Sequence, residues 1–254
     1  MKPPIAEKRP VTTSHHGIEL TDNYAWLRAD NWQQVMHDPS VLAEDIRAHL
    51  EAENAYFEAQ MAGTEALRET LFAEMKGRIK EGDSSVPSPD GPWAYAIRFV
   101  EGGQYPLLVR EPREGGPETV MIDGNALAEG KAYFRLGGAS HSPDHDKLAW
   151  AFDDKGSEYY TLRFRDLVTG EDLADEVADT GGGGVWSADG KEVFYIRLDE
   201  NHRPSKLFRH VLGSADAEDP LVYEETDSGF FMGVGKTQSK NFVVIDCHDH
   251  ETSE

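Results

Sequence analysis

The sequence predicts a mainly β protein, namely a partial β-propeller preceded by an α-helical segment. An internal repeat is the main reason. Ser142-Pro143-Asp144 precedes the apolar residues 148–152, and about 45 residues further on Ser187-Ala188-Asp189-Gly190 precedes the apolar residues 193–196. A polar turn followed by apolar strands at this spacing is typical of a propeller blade. Two weaker copies flank this pair, at 88–97 and 239–245.

The repeat length sets the number of blades. At about 45 residues a blade, residues 81–254 hold about three and a half blades, fewer than the roughly four to eight that close a ring. We expect the second blade over 132–172, with a hairpin turn at 166–170, and the third over 184–225. A fourth begins near Phe230 and ends after about one strand. The ring is therefore predicted to be unfinished.

The first blade shows its strands by alternation and by turn residues. Larger side chains alternate with smaller or polar ones over 93–99, which is the period of a β-strand. Residues 105–109 form the next predicted strand, and residues 120–122 form another that ends in a turn at Asp123-Gly124.

Residues 1–80 are predicted to be an N-terminal arm followed by two helices. Residues 1–37 show no regular pattern, although the aromatic side chain of Trp26 is apolar enough to require a packing surface. The first helix is expected to begin at Asp38-Pro39 and to end near Gly63, and Thr64 is expected to cap the second. Apolar side chains recur along one face of both helices, at Leu42, Ile46, Leu50, Phe57, Met61, Leu67, Leu71, Met75 and Ile79. These faces need a covering partner.

Composition narrows the class of protein. The chain has 47 acidic and 25 basic residues, for a net charge of -22, which indicates first of all a solvated surface. The alternative is a surface that attracts cationic ligands and repels nucleic acid. No stretch of about 18 apolar residues predicts a membrane span. The single cysteine, Cys247, excludes an internal disulfide, and we expect a cytoplasmic protein.

No catalytic or phosphate-binding motif in the sequence is complete. The stretch 138–142 lacks the second glycine of a nucleophile elbow and is expected in a blade turn, where Ser140 beside His141 does not make a triad. Residues 233–237 end like a phosphate-binding loop, but Phe230 stands where its first glycine belongs. The four glycines at 181–184 are predicted to be a loop between blades.

Two groups consist of residue types that bind metals, but their spacing does not favour a metal site. Asp246, His248 and His250 would share one face of a strand, which makes a metal site geometrically feasible but disfavoured. The adjacent pair His15-His16 points in different directions in most backbones. We therefore predict no catalytic, cofactor-binding or metal-binding residue in this chain. An acidic group is expected to be a solvated loop, with the weaker alternative that it attracts basic peptides: Asp216, Glu218, Asp219, Glu224, Glu225 and Asp227.

Several stretches, in order along the chain, together resemble one family. The longest is 74–87, at the junction between the helices and the first blade. The others are 24–28, 52–56, 102–106, 142–144, 201–204, 210–213 and 249–254. The ordered set is similar to the oligopeptidase B branch of the prolyl oligopeptidase family of serine peptidases.

The resemblance implies a two-domain peptidase. Its N-terminal segment, here 1–80, would pack on a C-terminal α/β-hydrolase domain of the same protein, and 81–254 would be part of a seven-bladed propeller that excludes folded proteins. The family cleaves short peptides, this branch after Arg or Lys, without a cofactor. The triad belongs to the hydrolase domain, so these residues alone are predicted to be inactive.

Two alternatives remain open from the sequence. One is a free-standing propeller that acts as a binding module, although an open sheet edge invites aggregation. The other is the post-proline branch of the same family, because the residues that set specificity lie outside this chain.

Overall fold

A computed structural model describes residues 2–254 of the chain. Its contacts group the chain into two compact units, Met1–Lys80 and Glu81–Glu254. The α-helices of more than two turns lie in the first unit. The second unit consists of antiparallel strands and short helical turns. The predicted fold class, mainly β with N-terminal helices, is confirmed.

The N-terminal arm is more regular than predicted. Strands β1 (Val11–His15) and β2 (Ile18–Asp22) form an antiparallel hairpin around the two-residue turn His16-Gly17. A 3-10 turn at Ala25–Leu27 and helix α1 (Trp32–His37) follow. All ten strand residues of this hairpin are exposed. Neither strand has a buried face, so the sequence does not need to alternate between apolar and polar residues. This explains why the expectation of an irregular arm was wrong.

The two main helices begin near the predicted residues, with different end structures. Asp38 does cap a helical turn, since its carboxylate accepts from Ser40 N at 2.9 Å, but that turn is a 3-10 helix of three residues, Pro39–Val41. Helix α2 (Glu44–Met61) starts only after an extended Ala43. Helix α3 (Glu65–Lys76) follows Thr64, whose hydroxyl donates back to the Met61 carbonyl at 2.8 Å and does not cap α3.

The first blade is a four-stranded antiparallel meander. Its strands pair in chain order. They are β3 (Ser88–Asp90), β4 (Trp93–Arg98), β5 (Leu107–Pro112) and β6 (Thr119–Asp123). Asp123-Gly124 is not a simple turn, as predicted, but the start of helix α4 (Gly124–Ala128). The Asp123 carboxylate accepts from the backbone N of Asn125 and Ala126, at 2.9 and 3.1 Å, and so caps this helix.

The second and third blades form one sheet of seven strands. The strands are β7 (Arg135–His141), β8 (Lys147–Asp153), β9 (Tyr160–Asp166), β10 (Asp172–Trp186), β11 (Glu192–Leu198), β12 (Pro204–Val211) and β13 (Leu221–Glu224). Strand β10 serves both blades, because its first part pairs with β9 and its last part with β11. The glycines 181–184, predicted as a loop, lie within β10. The hairpin turn predicted at 166–170 is present between β9 and β10.

The last blade contains two strands rather than the single strand predicted. Strands β14 (Phe231–Lys236) and β15 (Val243–His248) form an antiparallel hairpin. Among residues 2–254 the three sheets of the second unit do not close into a ring.

The repeat seen in the sequence is a repeated turn between the first two strands of a blade. The Ser142 hydroxyl accepts from the backbone N of Lys147 at 2.9 Å, and the Ser187 hydroxyl accepts from that of Glu192 at 3.1 Å. In the last blade Thr237, not Ser239, takes this role. The fourth copy therefore aligns two residues earlier than the sequence suggested, because a threonine replaces the serine.

The core of the second unit lies between the sheets. The largest cluster joins blades two and three through fully buried side chains: Leu162, Phe164, Val177, Trp186, Val193 and Tyr195. A second cluster, around Trp150 and Ile122, joins blades one and two, and a third joins Leu207 to Met232 and Cys247 of the last hairpin. Each blade thus buries its faces against a neighbour, as stacked repeats do.

Candidate functional site

Strands of blades two and three and of the last hairpin line a groove, called here the glycine groove. Its cavity has a volume of about 360 Å³ and is lined by Gly138 to Ser140 of β7, residues 181–185 of β10, Ile196 and Val234. Five of the ten lining residues are glycines, and β7 is an edge strand of its sheet, so backbone forms much of the wall.

The glycines are needed because β7 and β10 approach closely. A Cβ atom on Gly137 would lie 2.8 Å from the carbonyl oxygen of Gly182. Gly182 itself has φ +95°, and a Cβ there would lie 3.0 Å from the Tyr160 ring. Ser140 fixes the approach by donating to the Gly184 carbonyl at 2.7 Å. Side chains at these glycines would therefore push the two blades apart.

At one end of the glycine groove, strand residues and turns of three blades bring polar side chains together. We call this group the rim cluster: Asp90 and Tyr95 of blade one, His141 and His145 of blade two, and Lys240 of the last hairpin. The ammonium of Lys240 contacts the Asp90 carboxylate, whose other oxygen lies 3.3 Å from His141 Nε2. One carboxylate therefore joins the first, second and last blades.

Three rings of the rim cluster are stacked. The centroid of His141 lies 4.4 Å from that of Tyr95 and 4.5 Å from that of His145, with interplanar angles of 10° and 26°. The Tyr95 hydroxyl is 2.7 Å from His145 Nδ1. The His141 ring is held by stacking on both neighbours and by its Nδ1, which lies 2.9 Å from the carbonyl oxygen of Ser142.

Burial shifts the ionisation of the rim cluster toward neutral rings. Burial raises the pKa of Tyr95 to about 12. Burial, followed by the neighbouring charge of His141, lowers the pKa of His145 and so favours its neutral form. For Asp90 burial favours the protonated acid, but the hydrogen bond and charge of Lys240 outweigh it and hold the pKa of Asp90 below its usual value.

Arg110 supports the cluster from below. It is buried, and its guanidinium donates to the carbonyl oxygens of His145 and Leu167. Its other side lies 4.0 Å from the ring centroid of Trp93, a cation–π contact. Arg110 thereby fixes the turn that carries His145.

The structure does not bring the residues of the incomplete motifs into a catalytic or phosphate-binding arrangement. Ser140 and His141 lie at the end of strand β7, not in a turn as predicted. Ser140 bonds to Gly184, whereas His141 faces Asp90. The stretch 233–237 is mostly strand β14, with no helix after it that could bind a phosphate.

The candidate metal-binding residues do not form a group of three ligands. His248 Nδ1 lies 3.1 Å from the Asp246 carboxylate, but β15 ends at His248 and His250 lies beyond it. His15-His16 lies at the tip of the N-terminal hairpin. Within residues 2–254 no three His, Cys, Asp or Glu side chains are grouped as a metal site requires.

The acidic loop contains a buried member that the sequence did not reveal. The side chain of Asp219 is 1% exposed and accepts from Tyr195 OH at 3.0 Å and faces His210 Nδ1 at 3.0 Å. His210 Nε2 faces Asp175 at 3.2 Å. The prediction that Asp219 belongs to a solvated loop was therefore wrong. The local sequence does not distinguish the buried Asp219 from its acidic neighbours Asp216 and Glu218.

The helices of the first unit expose an apolar surface. We call it the helix face, and its members are exposed by 47% to 68%: Leu50, Phe57, Leu67, Leu71, Phe72, Met75 and Ile79. Seven large apolar side chains exposed within residues 50–79 indicate an interaction surface. Separately, among residues 2–254 no helix is long and apolar enough to cross a membrane.

A family profile decides the relationship of the chain. The profile described as "Prolyl oligopeptidase, N-terminal beta-propeller domain" matches residues 3–254. The chain belongs to the prolyl oligopeptidase family. The resemblance inferred from the short stretches is thereby confirmed.

Within the prolyl oligopeptidase family, several characterised proteins are similar to this chain. It is 38% identical to dipeptidyl aminopeptidase BI of Pseudoxanthomonas mexicana and 32% identical to protease 2 of Moraxella lacunata, over 99% and 100% of this chain. Among solved structures, oligopeptidase B from Leishmania major matches 99% of the chain with a TM-score of 0.90 at 31% identity. The chain spans only 36% of each of the two relatives and 37% of the solved chain.

Proposed function

We propose that the chain is the N-terminal gating portion of a serine oligopeptidase that cleaves short peptides after Arg or Lys. Membership of the prolyl oligopeptidase family is the observation that carries this proposal. The relatives extend well beyond the part that matches this chain, which leaves room for a hydrolase domain with the catalytic triad.

The partner of the helix face is proposed to be that hydrolase domain. Phe57 and Phe72 are 58% and 63% exposed, and Leu67 and Met75 are similarly exposed. Covering such side chains stabilises by about 25 cal/mol for each Å² of apolar surface removed from water. In this proposal, residues 1–80 form one structural element with the hydrolase domain, and residues 81–254 form the gate.

The gating proposal rests on the size and lining of the glycine groove. Its volume of about 360 Å³ accepts an extended peptide segment but not a folded domain. Exposed backbone groups there can bond to a peptide of any sequence. We expect the complete protein to cleave short peptides and to leave the same site uncut in a folded protein. Equal rates for both substrates would contradict gating.

The preference for basic peptides is proposed from charge and from relatives. The net charge of -22 attracts cationic peptides. One similar solved structure is oligopeptidase B from Trypanosoma brucei with covalently bound antipain, at 30% identity. Neutralising Glu224, Glu225 and Asp227 should reduce the salt dependence of turnover of an Arg peptide. An unchanged salt slope would refute steering by this loop.

The central experiment compares this chain with the product of the complete reading frame. Both are treated with a fluorophosphonate probe for reactive serines and assayed with matched Arg, Lys and Pro peptides. We expect labelling and cleavage after Arg and Lys for the complete product only. Labelling of residues 1–254 alone, or a complete product without a reactive serine, would overturn the proposal. Preferential cleavage after Pro would place the protein in the post-proline branch.

A second candidate is an aminopeptidase that releases dipeptides. The 38% identity to dipeptidyl aminopeptidase BI favours it as the alternative. Such an enzyme needs a free amino terminus on its substrate, whereas an endopeptidase does not. Acetylating the N-terminus of an Arg peptide should leave cleavage intact if the main proposal holds and abolish it if the alternative holds.

A cytoplasmic location is also proposed, because the single Cys247 leaves no internal disulfide for an oxidising compartment to form. Cell fractionation with an antibody against the chain tests it. Recovery in a membrane or extracellular fraction would contradict it.

A further inference from the structure

We propose that Lys236 and Lys240, beside His141, form a subsite for the C-terminal carboxylate of a peptide. The subsite lies where the rim cluster meets the glycine groove. The inference rests on the proposed function only in taking a peptide as the ligand.

Lys236 is a half-buried cation without a counter-ion. It is the last residue of β14, and its ammonium has neither a hydrogen bond nor an ion pair with residues 2–254. Burial, followed by the charge of Lys240, lowers the pKa of Lys236. The carboxylate that influences it, Asp90, is already shared by Lys240 and His141. A second carboxylate in this place would therefore give the Lys236 ammonium the ion pair that it lacks among residues 2–254.

The space for that carboxylate is present. A cavity of about 510 Å³ lies beside the rim cluster and is lined by Lys236, Lys240 and His141. Its other walls include Trp186 and the amide side chain of Gln238. The ammonium groups of Lys236 and Lys240 carry three N–H donors each, and hydrogen bonds from charged donors to a carboxylate are the stronger ones.

The cavity adjoins the glycine groove. Ala139, Ser140, Gly184 and Val185 line both spaces. A peptide whose last residue occupies the subsite can therefore continue along exposed backbone. This continuity favours the end of a peptide chain over a free small anion.

Local and overall charge have opposite signs. Lys236 and Lys240 outnumber the single Asp90 at the subsite, whereas the whole chain has a net charge of -22. An acidic surface attracts the basic groups of a peptide and repels its carboxylate. A cationic subsite in that field holds the carboxylate in one place and so orients the peptide.

The test measures binding to the 254-residue chain by calorimetry. The probes are two Arg-containing peptides of one sequence, one with a free carboxylate and one with a C-terminal amide. We expect the carboxylate form to bind about tenfold more tightly, as one charge-assisted interaction provides. Lys236→Gln should remove the difference. The matched control Lys155→Gln removes the same charge beyond the far end of β8, and it should preserve the difference.

Three outcomes would overturn the subsite. One is equal affinity of the two peptides for the native chain, and another is an unchanged ratio in Lys236→Gln. The third is that inorganic phosphate binds as tightly as the peptide carboxylate and displaces it, which would make the site a general anion site. To confirm folding, urea denaturation of Lys236→Gln should show no loss of stability. Because binding is measured without turnover, the absence of peptidase activity in the complete protein would not affect this result.

Discussion

Blades two and three and the N-terminal helices use similar residues in opposite ways. Phe164 and Trp186 of the blades are at most 1% exposed and touch in an edge-to-face arrangement, with ring centroids 6.0 Å apart. Phe57 and Phe72 of the helices are 58% and 63% exposed. In the first unit, among the residues described, Ile46 is the single side chain of the buried core. Among residues 2–254 the blades therefore bury their large apolar side chains against one another, whereas those of the helix face stay exposed.

The difference shows what an apolar pattern specifies. Alternation in a strand and a period of three to four in a helix define which face is apolar, but not what covers it. For the blades the next repeat supplies the cover. For the helices the proposed cover is a domain outside this chain. The stability of the two regions should consequently respond very differently to the same substitution.

The largest contrast is expected for Phe→Ala. Phe164→Ala should lower the free energy of unfolding by about 3–5 kcal/mol, because it leaves a cavity in the main core. Phe72→Ala on the helix face should change it by less than about 0.5 kcal/mol. Urea denaturation followed by tryptophan fluorescence measures both. A comparable loss in both variants would show that the helix face is covered within this chain.

A slightly smaller contrast is expected for histidine. His210 lies between Asp175 and Asp219, and His210→Ala would leave two buried carboxylates facing each other, at a cost of about 3 kcal/mol. His49 on α2 pairs with the more exposed Glu53 at 3.6 Å. His49→Ala should cost below about 1 kcal/mol. An unchanged melting temperature in His210→Ala would contradict a stabilising role of the buried group of Asp175, His210 and Asp219.

Much of the propeller could be predicted because its signals are local. Ser142 and Ser187 mark equivalent turns, and the structure shows why: each hydroxyl accepts from the backbone N five residues later. The last copy was misaligned because Thr237 makes the same bond. A strand across 181–184 could not be predicted, since glycine is a turn signal unless a close neighbouring strand requires it.

The candidate site could not be predicted, because it depends on contacts between distant residues. Asp90 and Lys240 are separated by 150 positions and meet only when the turns of different blades converge. Asp219 lies in an acidic loop whose sequence looks uniformly solvated, yet its partner His210 is on another element. Local patterns carry no information on such pairs.

Glycine substitutions give a contrast of opposite sign. Gly91 has φ +56°, and a Cβ there would overlap the ring of His145 in the rim cluster, so Gly91→Ala should cost about 2 kcal/mol. Gly63 lies between the helices, and a Cβ there would meet nothing within 4 Å. Gly63→Ala should be neutral or stabilise by about 0.5 kcal/mol, since it restricts the unfolded chain. Thermal melts of both variants test this. Destabilisation by Gly63→Ala would contradict the open environment.

The smallest contrast concerns acid. The Ser142 hydroxyl lowers the pKa of Asp144 in blade two, and the Arg9 guanidinium lowers the pKa of Asp45 in the first unit. A folded-state pKa below the unfolded value means that each carboxylate stabilises above pH 3.8, and that the contribution is lost as the pH falls below 3.8. Carbon-detected NMR titration measures both groups.

Salt should separate these two carboxylates, because their partners differ in charge. At about 1 M salt the screening length is only about 3 Å, so the pKa of Asp45 should rise toward 3.8 while that of Asp144 changes little. Ser142→Ala should raise the pKa of Asp144 and leave that of Asp45 unchanged. An equal response of both carboxylates to salt would mean that the nearby Lys147, 3.9 Å from Asp144, controls the turn instead of the Ser142 hydroxyl. The blade turn would then depend on a screened surface charge, as the first unit does at Asp45, and not on a hydrogen bond that salt leaves intact.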